Sequence, residues 1–120
     1  MNDKHYAEIA PAKGTITITD RETGKQLAKT GHALKLSEYY HGRAVPMVFY
    51  IPRNDVALSL LEENDGHATH CPIKGEASYF SLKGGAKNIA WTYEDPIAHS
   101  RLVKGFVAFD RKLTKLVHSA

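Results

Sequence analysis

The segment Thr69-His70-Cys71-Pro72-Ile73-Lys74-Gly75-Glu76 sets the chain's one cysteine beside a proline and three residues before a lysine. Proline suits the second position of a tight turn, and such a turn brings the Cα atoms of Cys71 and Lys74 within about 7 Å. An ammonium beside a thiol favours the thiolate, which is the nucleophilic form. The chemistry offered is attack by Cys71, with Lys74 lowering its pKa and holding substrate charge, and His70 or Glu38 moving the proton. His70 is the nearer base along the chain, while Glu38 closes a strand-like stretch that leads into Tyr39-Tyr40. Each residue also has a plain structural use. A free cysteine is commonly a small buried apolar group, and an isolated lysine or glutamate is commonly solvated.

His67 and His70 flank Cys71, and imidazole and thiolate are ordinary zinc ligands. The chain has no second cysteine and no His-Glu-x-x-His helix, so no metal and no other cofactor is expected. Trp91-Thr92-Tyr93-Glu94-Asp95-Pro96 puts two aromatics on one face of a strand and two carboxylates at its end. Core packing is the simplest use of these rings. A tyrosine hydroxyl at the core's edge also orients ligands, which makes Tyr50 and Tyr93, with Lys74, the candidate ligand-binding groups.

The elements that must position these groups are mostly strands. Thr15-Ile16-Thr17-Ile18-Thr19 alternates apolar and polar residues, and Asp20 to Gly24 supplies a turn into Lys25–Lys29, forming a first hairpin. His32–Glu38 predicts a third strand. Arg43–Ile51 has apolar residues on both faces, which predicts a central strand covered on both sides, although Pro46 argues for an edge or bulge at its start. Asn54 or Asp55 is placed to cap a short helix carrying Val56, Leu60 and Leu61, stopped by Asn64-Asp65-Gly66. Glu76–Leu82 and Asn88–Glu94 form a second hairpin around Lys83-Gly84-Gly85, Pro96–Lys104 can hold a helical turn, and Phe106–Phe109 reads as a short strand. The expected fold is mainly β: a single compact curved sheet or open barrel with one or two short helical turns.

At 120 residues the chain suits one domain. Residues 1–13 read as an N-terminal extension, 14–110 as the domain and 111–120 as a basic C-terminal segment. One cysteine permits no internal disulfide, which suits a reducing compartment, with the cytoplasm as the expectation. Met1–Tyr6 lacks an apolar leader, and no window approaches the roughly 18 apolar residues of a membrane span. A formal charge of +3 favours anionic partners without naming one. The late basic residues Arg101, Lys104, Arg111, Lys112 and Lys115 read first as a solvated tail, so nucleic acid is not the expected partner.

Taken in order, Tyr50-Ile51-Pro52-Arg53-Asn54-Asp55-Val56, Cys71-Pro72-Ile73-Lys74-Gly75-Glu76-Ala77-Ser78-Tyr79, Ala90-Trp91-Thr92-Tyr93-Glu94-Asp95-Pro96 and Gly105-Phe106-Val107-Ala108-Phe109 resemble the pattern of domain of unknown function 427. The resemblance covers roughly residues 14 to 110. It implies a β-tent scaffold similar to that of methionine sulfoxide reductase B, in which Pro52, Pro72, Gly75 and Pro96 set shape. It also implies that Tyr50, Cys71, Lys74, Trp91 and Tyr93 belong to one recurrent constellation. The paired cysteines that hold zinc in related scaffolds are absent here, so metal does not carry over. The family's nucleotidyltransferase-like label would imply nucleotide phosphates and magnesium, but neither G-x-x-x-x-G-K nor an Asp-x-Asp pair is present. The function expected is binding of an anionic small molecule at a metal-free polar pocket around Cys71 and Lys74, with or without cysteine-based catalysis. The alternatives are a non-catalytic module in which Cys71 only packs and, more weakly, nucleic-acid contact through the basic C-terminal segment.

Overall fold

Alternation along Thr15–Asp20 turns Ile16, Ile18 and Asp20 inward, and all three are buried. This strand is β2 of ten in the computed structural model, which describes residues 6–71 and 74–120, with the backbone alone for Ala98 and His99. The others are β1 (Tyr6–Pro11), β3 (Gln26–Thr30), β4 (Leu34–Tyr40), β5 (Arg43–Tyr50), β6 (Leu61–Cys71), β7 (Gly75–Leu82), β8 (Ala90–Tyr93), β9 (Val107–Phe109) and β10 (Thr114–Ser119). The helical segments are 3-10 turns at Arg53–Asp55, Leu58–Leu60 and Ala98–Val103.

The fold is mainly β, as expected, but the strands divide among three small sheets, with no closed barrel. Their orders are β1-β4-β5, β10-β2-β3 and β6-β7-β8-β9, and every pairing is antiparallel. Pro52 and the turn after it end β5 at Tyr50. The next residue, Ile51, pairs instead with Val107 of the third sheet through reciprocal backbone bonds of 2.8 Å. Register shifts at Ile18/Thr19, Leu36/Glu38 and Asn64/Ala68 mark bulges, which bend strands and break continuous pairing. One apolar core includes Ile16, Ile18, Leu27, Ile51, Ile89 and Val107. A second gathers Leu36, Tyr50, Ala77, Tyr93, Val103 and Ala108 between the first and third sheets.

Four sequence expectations are corrected. Strand β5 is an edge strand rather than the central one, and Val45 and Met47 are exposed; Pro46, which lacks an amide donor, was the signal that prevailed. The expected helix after Pro52 is two isolated 3-10 turns, and neither has a side-chain cap. Asp55 instead accepts from Thr30 Oγ1 at 2.6 Å, while Val56 bridges to Ala28. Asn64-Asp65-Gly66 does not stop a helix but lies within the eleven-residue β6, most of whose side chains are exposed. With neither face buried, that strand carries no apolar period, and pairing with β7 defines it. Finally, residues read as an N-terminal extension and a basic tail include β1, paired along β4, and β10, paired along β2.

Candidate functional site

The segment from Cys71 to Lys74 joins β6 to β7, and Lys74 N–H donates to Cys71 C=O at 3.3 Å, closing a four-residue turn. Pro72, expected to shape it, lies outside the described residues. Gly75 follows at φ +102°, a backbone conformation that side chains with a Cβ rarely adopt. Lys74 C=O then accepts from Ile97 N–H at 3.0 Å, fastening the turn to the chain leaving β8. These backbone bonds direct the Lys74 side chain inward, and the residue is 8% exposed.

Inside, the ammonium meets three chemically different neighbours. Glu38 Oε1, from β4, lies 3.3 Å from Lys74 Nζ. The ring of Tyr93, from β8, lies with its centroid 5.6 Å from the same nitrogen. The hydroxyl of Tyr50, at the end of β5, accepts from Trp91 Nε1 at 3.4 Å, and Tyr50 is close enough for its ionisation and that of Lys74 to act on each other. The Tyr50 and Tyr93 rings are themselves 6.5 Å apart. Burial disfavours the lysine's charge, but Tyr50, Glu38 and Cys71 outweigh it and hold Lys74 above the ordinary lysine value. Burial pushes the Tyr50 phenol up, against the pull of Lys74 and Trp91. Burial, with Tyr50, Cys71, Tyr79 and Glu38 nearby, pushes Tyr93 up as well. Both phenols therefore stay protonated at neutral pH and can donate as well as accept.

Cys71 is half-buried and packs against the second core, at the rim of this cluster. Glu38, Tyr50, Cys71, Lys74 and Tyr93 thus come together from β4, β5, β6, the turn and β8. His70 does not join them. It is exposed, it pairs with Glu76, and as Cys71's neighbour on a strand it projects from the opposite face. His67 stacks edge-on against Tyr79, with ring centroids 4.5 Å apart. Among the described residues no group of three or more His, Cys, Asp or Glu side chains is placed to hold a metal ion.

Sequence reading missed the brace around the cluster. Arg53 reaches Glu94 Oε2 at 2.9 Å and donates to Gly105 C=O at 3.1 Å. The Glu94 contact is largely exposed, so the bond to backbone contributes more to locking the 3-10 turn against the end of β8. The hint was its place directly after Tyr50-Ile51-Pro52. No pattern in sequence announces the Trp91 to Tyr50 bond, which joins residues 41 positions apart.

The family model described as Domain of unknown function (DUF427) matches residues 8–119 of this sequence. The chain belongs to the DUF427 family. No curated protein matches it. The DUF427 match reaches beyond the resemblance seen in the motifs and takes in most of β1 and all of β10. The cluster of this DUF427 domain lies within the matched span, and it can do two things chemically. It can keep a positive charge in an apolar surrounding, and it can present neutral phenol hydroxyls beside a thiol.

Proposed function

We propose that this DUF427 domain binds a small anionic molecule at the Glu38–Lys74 cluster, in a reducing compartment such as the cytoplasm, with Cys71 at the rim of the site. The observation that carries this reading is the buried Lys74 ammonium, 3.3 Å from Glu38 and facing Tyr93. An ordinary structural lysine sits in solvent, and a buried charge with a specific partner is a functional-site candidate. An ammonium has three donors. Glu38 Oε1 takes one, and a ligand oxygen would take another, with the Tyr93 hydroxyl orienting the ligand. In the catalytic form of the proposal Cys71 Sγ adds to a carbonyl carbon of that ligand, the C=O π electron pair moves to the carbonyl oxygen as the C–S bond forms, Lys74 holds the ligand's charge, and Glu38 accepts the thiol proton and returns it to that oxygen.

The single cysteine makes the test clean. Alkylation of Cys71 is followed with anionic iodoacetate and neutral iodoacetamide, in the wild type and in Lys74→Met. The proposal expects the iodoacetate to iodoacetamide rate ratio to exceed that of a free thiol and to fall to it in Lys74→Met. Equal ratios in both proteins overturn anion recruitment. A thiol that reacts only above a pKa of about 8.5 overturns the nucleophilic role. The packing of Cys71 against Tyr50 and Tyr93 in the second core favours a second reading, a non-catalytic module in which the cysteine only fills space. Under that reading Cys71→Ser leaves the affinity for the anionic ligand largely intact.

A further inference from the structure

A groove of about 530 Å³ runs between β5 and β10. Each of these strands is the outermost of its own sheet, so the groove is walled by two sheet edges. Its walls include Val45, Met47 and Leu116, all exposed, and Trp91 lies at its boundary. Two arginines line it, Arg21 from the turn after β2 and Arg111 from the turn before β10, and no aspartate or glutamate does. Among the described residues neither guanidinium makes an ion pair.

From this pairing of an apolar slot with unopposed guanidinium groups, we propose that the groove binds an amphipathic organic anion, its apolar body against Val45, Met47 and Leu116 and its carboxylate on Arg21 and Arg111. The volume falls within the range of about 300–1,000 Å³ typical of small-molecule sites, whose pattern is an apolar lining with a few polar groups. Guanidinium matches a carboxylate with two parallel charge-assisted hydrogen bonds; a single hydroxyl lacks the charge and the second oxygen, and an ammonium head group accepts none. A bare inorganic anion would leave the apolar walls wet, and a neutral hydrocarbon would leave both arginines unanswered. The surface therefore selects for both halves together. Trp91 touches both sites through its bond to Tyr50, but neither arginine nor Met47 belongs to the Glu38–Lys74 cluster, so variants at those positions let either proposal fail alone.

Trp91, the chain's one tryptophan, is the reporter. Decanoate, decanol and decyltrimethylammonium are titrated into the full chain below their micellar concentrations while Trp91 fluorescence is followed. The expected result is a saturable change with decanoate at a midpoint below about 1 mM. Decanol and the cation are expected to bind at least about tenfold more weakly, and so is decanoate to Arg21→Gln/Arg111→Gln. Met47→Asp, a change at an exposed position, is expected to abolish the response at unchanged thermal midpoint. Equal binding of decanol and decanoate, or undiminished binding in the double arginine variant, overturns the proposal. So does a wild-type dimer in sedimentation that Met47→Asp dissociates, because a second copy would then occupy the groove. Iodoacetate selectivity at Cys71 is not part of this readout, which keeps the two sites distinguishable.

Discussion

The Glu38–Lys74 pair is 3.3 Å long, and its side chains are 16% and 10% exposed. Removing one member of such a pair strands a charge in a poorly solvated place, whereas replacing both with apolar groups removes the difficulty. Glu38→Gln and Lys74→Met are each expected to cost about 3 kcal/mol, and Glu38→Leu/Lys74→Met to recover most of that loss in urea denaturation midpoints. Additive losses in the double variant would show that the residues do not act as a pair. The cluster also gives the protein an alkaline limit. Lys74, Tyr50 and Tyr93 all have raised values in the folded state. Above the unfolded values of about 10, the unfolded chain releases these protons while the folded chain keeps them. Their stabilising contribution is therefore complete below about pH 10 and is lost as pH rises further. Tyrosinate absorbance should show Tyr50 and Tyr93 ionising only with unfolding, and native titration of all six tyrosines would contradict this.

At the scale of the element, the turn between β6 and β7 is held by its ends. Gly75 has φ +102°, and a Cβ there would lie 3.4 Å from Asp95 C=O and 3.5 Å from Ile97 Cγ1. Gly75→Ala is expected to cost about 1–3 kcal/mol, mostly as backbone strain. Because Lys74 is the adjacent residue, the same substitution should also lower the iodoacetate selectivity of Cys71. A thermal midpoint within a degree of wild type would argue against a fixed turn. The strands around it differ in how visible they are from sequence. Strand β2 shows as alternation because one face is buried, and β7 and β8 show as apolar runs because both faces are largely covered. Strand β6 has almost no covered face and shows as nothing, although β7 pairs along it.

At the scale of the whole molecule, the chain ends complete the sheets. Strand β10 covers one edge of β2, and at Gly14 (φ +84°) the backbone passes so close to Ser119 C=O that a Cβ there would collide with it. Ending the chain at Leu113 should expose the β2 edge and lower the thermal midpoint by several degrees, with hydrogen exchange accelerated along β2. Unchanged exchange along β2 would show that β10 is an ornament. Lys115 belongs to this strand, while Arg111 and Lys112 sit in the turn before it, so the basic run is part of a folded edge rather than a loose tail. None of the helical segments among the described residues is long and apolar enough to cross a membrane.

Local composition was enough to establish a mainly β chain, the hairpin turns at Asp20–Gly24 and Lys83–Gly85, and the cysteine–lysine turn, whereas Pro46 hinted at an edge only for the start of a strand read as central. Each of these follows from the conformational limits of a few adjacent residues. The contents of the cluster were partly legible, since Tyr50, Cys71, Lys74 and Tyr93 stand in the motifs from which the resemblance to the family was read. Their arrangement was not. Glu38 meets Lys74 only because β4 and the turn leading into β7 belong to different sheets that close on one core, and Trp91 meets Tyr50 by the same closure. Burial of a lysine is a property of everything packed around it, so no window of sequence contains it. The groove between β5 and β10 has the same origin: Arg21, Met47 and Arg111 are far apart along the chain and face one slot because two sheet edges lie side by side.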